Sequence, residues 1–232
     1  MNSAFIALFK STDRYNTSIM VEVKAGPGQE RRNTGMPKVV DHDAQRVKFA
    51  EAAMSLIAQH GLEGVTMRAV AAEAGLSYGS LFHYFSSKDE LLMHVVQHTA
   101  VLQTRRVNEF TSQYSGLKAL EHLLRDDAII TESSRDDWMV WVTFLYKAAL
   151  QESFAEMHAE LIDGWLARIR RLLSDAQEAG EIIGALDVDF EAKAIWAYSA
   201  GIGQLGLLHS ELLPVEVQKQ LITAYLEKLR GG

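Results

Sequence analysis

The chain has 232 residues, is 48% hydrophobic and carries a formal charge of -7, which supplies material for one large buried core or a small domain joined to a larger one. It contains no cysteine, which excludes disulfide frameworks, thiolate metal sites and cysteine nucleophiles and fits a reducing cytoplasm. Its longest apolar runs, such as Trp138 to Tyr146, stop well short of the roughly 20 residues that a membrane-spanning helix needs.

The first 35 residues show no sustained periodicity and end in the polar, glycine-rich stretch Gly26 to Gly35. Residues 1–36 therefore read as a flexible arm, or as a non-native leader if Met36, followed by Pro37, is the true start. From Asp43 onward the pattern is helical. Val47, Ala50, Met54, Ile57 and Ala58 keep the three-and-four spacing of an amphipathic helix that Gly61 stops. Thr66 opens a short second helix through Met67, Val70, Ala71 and Ala74, which Gly75 ends, and Ser77 opens a third through Tyr84. Ser87 with Glu90 makes a capping box for a long fourth helix beginning Leu91, Leu92, Val95 and Val96.

Further helices are predicted at 116–127, 135–152, 155–180, 189–209 and 214–229, with Ser134 and Asp137 as a second capping box and Pro214 in a first helical turn. No segment reads as a strand. The predicted fold is all-α: a helix-turn-helix domain over 37–90, joined by a long helix to a helical-bundle domain over 91–232.

The acidic total disfavours nucleic acid, because Lys and Arg supply most non-specific affinity for phosphate. The excess is uneven, however: +2 over residues 1–36, -2 over 37–95 and -7 over 96–232. The distribution permits a DNA contact near the N-terminus without predicting one, so the case rests on residues 66–88. There Ala71, Ala72 and Ala74 let two helices approach closely, Gly75 supplies a positive backbone angle, and Leu76 plugs the angle between them. Such a unit presents its second helix to a major groove, with Ser77 at a phosphate and Tyr78, Gly79 and Ser80 at the bases.

This run resembles the DNA-binding motif of the TetR repressor family: a Thr-started second helix, an Ala-Gly-x-Ser turn, then Leu-aromatic-x-Tyr-Phe and Lys. The resemblance covers about residues 44–95. It implies phosphate contacts at Thr66, Tyr84 and Lys88 and base contacts at Arg68, Tyr78, Gly79, Ser80 and His83. Tyr84 and Lys88 are the leading candidates. Phe82 stands where the family commonly has Tyr, which removes a hydroxyl contact and leaves that position to packing. The bland alternative for Arg68 is a surface ion pair with Glu73.

Two other signals are weighed against this. Gly75-Leu-Ser-Tyr-Gly79 matches the nucleophile elbow of serine hydrolases, with Ser77 as nucleophile, but that motif needs a strand where a helix is predicted. His94 and His98 share a helical face without a third ligand, so no metal is expected, and no cofactor or catalytic residue is assigned. A helical adaptor for proteins is the remaining alternative.

Beyond the motif, Trp138, Trp141, Phe144 and Leu145 on one helix and Phe154, Met157 and Trp165 on the next concentrate apolar bulk suited to a ligand pocket. Nearby Asp136, Asp137 and Glu152 suit a cation held over Trp faces. Ile195, Trp196, Ser199, Ala200, Gly203 and Leu207 form an apolar helix rich in small residues, and Leu221, Ile222 and Tyr225 line the last one. The resemblance implies that these two helices make a four-helix interface in a homodimer reading a palindromic operator. The C-terminal tail is also similar to the regulatory domain of the choline-responsive BetI branch. The expectation is thus a DNA-binding regulator with a small-molecule effector and no membrane association.

Overall fold

A computed structural model describes residues 42–127 and 132–231; the predicted arm over 1–36 lies outside them. Among the described residues every regular element is a helix. The first, α1 (His42–Gly64), is broken at Gly61, where φ is 65° and the chain makes one more helical turn before leaving. Two short helices follow, α2 (Met67–Glu73) and α3 (Tyr78–Tyr84), and then the long α4 (Lys88–Thr111). Phe49 and Ala53 of α1, Val70 of α2, Leu81 of α3 and Leu91 of α4 are all fully buried, so the first four helices bury apolar faces together. The Phe49 and Phe85 rings meet edge to face with centroids 6.2 Å apart.

The bundle comprises α5 (Gly116–Asp127), α6 (Glu132–Ala148), α7 (Glu152–Glu178), α8 (Val188–Leu208) and α9 (Val215–Leu229). Leu120 and Leu123 of α5, Ile169 and Leu173 of α7, Ile195 of α8 and Ile222 and Leu226 of α9 form one apolar core. Gly180, at φ 70°, ends α7 in a double hydrogen-bonded turn: Gly180 N donates to Gln177 O at 3.1 Å and Glu181 N to Ala176 O at 2.9 Å. The returning Glu181 carboxylate accepts from Leu117 N at 2.7 Å and so caps α5.

Two connections position the functional regions. Helix α4 starts beside α3 and runs into the bundle, packing on α5 and α6, while α6 packs along α1. The capping of α4 is nearly as expected: Ser87 Oγ accepts from Glu90 N at 3.1 Å, but the Glu90 carboxylate returns to Ser86 N, one residue earlier, at 2.7 Å. The Ser134 and Asp137 capping box does not form. Helix α6 begins two residues before Ser134, and the Asp137 carboxylate instead accepts from Arg106.

Candidate nucleic-acid interface and ligand cavity

The tip of the molecule is built by three local devices. Thr66 Oγ1 accepts from Ala69 N at 3.1 Å and starts α2. Gly75, at φ 65°, ends it, with Gly75 N donating to Ala72 O at 3.0 Å and Leu76 N to Ala71 O at 2.9 Å. Ser77 Oγ then accepts from Ser80 N at 3.0 Å and starts α3. Because α3 anchors itself through Leu81 and Tyr84, its other face points outward. Tyr78, Gly79, Phe82 and His83 are exposed, as are Thr66, Arg68 and Ser77, while Ser80 is half-buried.

Three details differ from the sequence expectation. Phe82 is not a packing residue: it is 46% exposed, edge-on to the 45% exposed Tyr78 with ring centroids 5.0 Å apart. Arg68 does not pair with Glu73, which accepts from Ser55 Oγ at 3.0 Å; its guanidinium lies 5.5 Å over the Tyr78 ring. The two leading candidates make contacts within the subunit. Tyr84 is buried against Phe49, 5.7 Å away, and its carbonyl accepts from Arg46 at 2.7 Å. Lys88 Nζ donates to Leu62 O at 3.0 Å, at the end of α1, and its desolvation there lowers its pKa.

Ser77 has the surroundings of a helix cap, not of a nucleophile elbow, with α2 before it and α3 after it. Burial lowers the His94 pKa to about 4, and its ring packs 5.3 Å from Phe85; the His98 pKa is also lowered by burial. No group of three His, Asp or Glu residues able to hold a metal occurs among the described residues.

The second feature is a small, partly open cavity of about 50 Å³ between α4, α5, α6, α7 and α8. All four tryptophans of the chain line it: Trp138, Trp141, Trp165 and Trp196. Its polar wall is Gln103, Asp127 and Asp137. Trp138 Nε1 donates to Asp127 O at 2.8 Å, which fixes the indole. Burial pushes the Asp127 carboxyl up to about 6, opposed by the Ser199 hydroxyl, which donates to it. Burial likewise raises Asp137, against the pull of Arg106, whose Nη2 lies 2.8 Å from Oδ2.

Only part of the expected pocket converges here. Phe144 and Phe154, each 1% exposed, belong instead to an apolar seam with Ile57, Leu92, Val95 and Lys147, where α1 and α4 meet the bundle. Leu145 and Met157 are half-buried and line neither space. Trp196 and Ala200, assigned by sequence to a subunit interface, face the cavity. Ile195, Ser199, Gly203, Leu207 and Ile222 are buried inside the subunit, and Leu221 and Tyr225 pack against its core, with Tyr225 OH donating to Glu191 at 2.5 Å. A helix with buried side chains on the core side cannot offer those same side chains to a second copy.

A helix-turn-helix with an exposed second helix, joined by one long helix to a bundle enclosing a cavity, defines a helix-turn-helix transcriptional regulator. Residues 50–95 match the model for bacterial regulatory proteins of the tetR family, and residues 117–231 match that for the C-terminal part of BetI-type transcriptional repressors. The chain is 33% identical over 190 residues to the HTH-type transcriptional regulator PksA of Bacillus subtilis, covering 81% of this chain and 88% of that protein. It is 27% identical over 200 residues to the regulator BetI of Vibrio vulnificus, covering 83% of this chain and 96% of BetI. Its fold matches that of a Saccharomonospora viridis transcriptional regulator crystallised with choline, with a TM-score of 0.73 at 23% identity over 80% of this chain and 96% of that one. The chain belongs to the TetR family of bacterial transcriptional regulators.

Proposed function

We propose that this protein is a repressor that binds a palindromic operator as a homodimer and releases it when a small cation enters the tryptophan-lined cavity. The observation that carries the ligand reading is the convergence of all four tryptophans with Asp127 and Asp137. Indole faces attract cations through their quadrupole, and a carboxylate in a desolvated wall adds a strong directional preference for positive charge. The choline carried by the Saccharomonospora regulator of the same fold supports this ligand class.

Operator contact falls to Thr66, Arg68, Ser77, Tyr78, Gly79, Ser80 and His83, the exposed or half-buried members of the motif, with Phe82 added for its exposed ring. Tyr84 supports them from within. Lys88 gives one ammonium N–H to Leu62 O and keeps two for a phosphate. The face of α8 available to a second copy is the exposed stripe Phe190, Ala197, Leu205 and Leu208, which follows helical spacing away from the core.

Selection of bound sequences from random DNA tests the first half: a palindrome with half-sites one or more helical turns apart is expected, lost on Arg68→Ala with Tyr78→Ala. Titration with choline or tetramethylammonium, followed by tryptophan fluorescence, tests the second. Saturation with neither fluorescence change nor operator release sinks the cation reading.

A further inference from the structure

Arg106 lies near the end of α4, the helix that begins at the DNA-binding tip. One turn before it, Gln103 lines the cavity. The Arg106 guanidinium reaches two carboxylates on two different helices: Nε is 3.2 Å from Asp126 Oδ1 at the end of α5, and Nη2 is 2.8 Å from Asp137 Oδ2 near the start of α6. Asp137 is itself a cavity wall. The same residue therefore lines the ligand space and holds α4.

A second ion pair between α4 and α6 lies at their opposite ends. Lys147, in the last turn of α6, is 2.6 Å from Asp89, in the first turn of α4. Helix α6 is thus tied to α4 by one ion pair beside the cavity and another beside the DNA-binding tip. A change at the first is carried to the second along a single helix.

We infer that Arg106 is a built-in competitor for the ligand: a cation entering the cavity takes Asp137 from it, and α4 loses its ion pair to α6 beside the cavity. This rests on the reading of the cavity as a cation site. Asp137 has two positive partners available and a limited set of acceptor positions facing each. When the ligand satisfies it, Arg106 keeps only Asp126, on α5. The ligand thereby favours a state in which this end of α4 is held by α5 alone, and the operator favours the state in which it is held by both α5 and α6. By linkage, each weakens the other's binding by the same factor.

The test uses the full-length protein, tetramethylammonium chloride as the probe with total salt held constant, and an operator selected from random DNA. Cation affinity is read from tryptophan fluorescence and operator affinity from anisotropy, with and without cation. Arg106→Gln removes the competing charge. It is expected to bind tetramethylammonium about tenfold more tightly than wild type, while its operator affinity no longer responds to the cation. Arg106→Lys retains the charge and is expected to keep the response.

Asp126→Asn leaves Arg106 with Asp137 as its sole carboxylate. It is expected to retain release but to need severalfold more cation. Release by R106Q at wild-type cation concentrations, or an unchanged cation requirement in D126N, overturns the inference while leaving the cation site standing. Failure of tetramethylammonium to bind wild type overturns both, and is seen before any variant is made.

Discussion

The DNA-binding tip and the tryptophan cavity are assembled in opposite ways. The caps and the turn that shape the tip are local: Thr66 caps α2 three residues away, Gly75 N closes on Ala72 O and Leu76 N on Ala71 O, and Ser77 caps α3 three residues on. The cavity is drawn from residues as far apart as Gln103 and Ala200, on five helices. A contiguous site is fixed by backbone hydrogen bonds and tolerates change elsewhere. A dispersed one depends on how helices pack, so its shape responds to distant substitutions and to ligand.

Four experiments probe that contrast. Phe85→Ala removes a ring buried against Phe49 and should cost about 3–5 kcal/mol in urea unfolding, abolishing operator binding at ordinary temperatures. A loss under 1.5 kcal/mol would show that the tip does not rely on its core. Gly203→Ala places a methyl where the Trp138 indole lies, an overpacking expected to cost ~1–3 kcal/mol by thermal unfolding and to weaken cation binding. Retained cation affinity would show that the cavity is less dependent on packing than supposed.

The third experiment concerns pH. Asp127 is raised to about 6 from 3.8, so the folded chain holds its proton over that window; this group's contribution to stability is present below about 4 and lost as pH rises through about 6. A cation prefers the ionised form, which gives binding the opposite trend. Affinity for tetramethylammonium should fall roughly tenfold from pH 7 to pH 5. Asp127→Asn should flatten most of that profile, and a fall of unchanged size in the variant would assign the effect elsewhere. The smallest effect is expected from Thr66→Ala or Ser77→Ala, each removing one cap at about 1 kcal/mol. Operator affinity should drop modestly and cation affinity should not change, as titrations on the same preparations would show.

The same contrast explains what was legible in the sequence. Caps and turn glycines announce themselves by type and spacing, so α1 to α4 and the turn at Gly75 were readable to within a few residues. The exposed members of the motif followed from the helical period. For Tyr84 and Lys88 the family position names a residue, whereas packing against Phe49 and the hydrogen bond to the Leu62 carbonyl, neither visible in the sequence, set where its side chain lies.

The cavity was half-read. Trp138, Trp141 and Trp165 stood out by composition, but Phe144 and Phe154 look the same in sequence and serve the seam with α1. Trp196 was missed because small residues around it suggested a subunit interface; as the chain's remaining tryptophan, it was the available clue. Asp127 carried no signal, since a polar residue at a helix end is usually solvated. Asp137 was read both as an acid near the tryptophans, where the cavity has it, and as a cap, because its spacing from Ser134 fits one. Its true partner, Arg106, is 31 residues away and is found only once α4 and α6 are laid together.

Gly203 holds a different kind of information. A side chain there would overlap the Trp138 indole, so the width of the cavity is set by an atom that is missing. Enlarging position 203 while shrinking position 138 would exchange volume across the wall without altering any ligand-facing charge or any operator contact. A lineage could change the effector it answers to by that pairwise trade, step by step, while its operators stay the same.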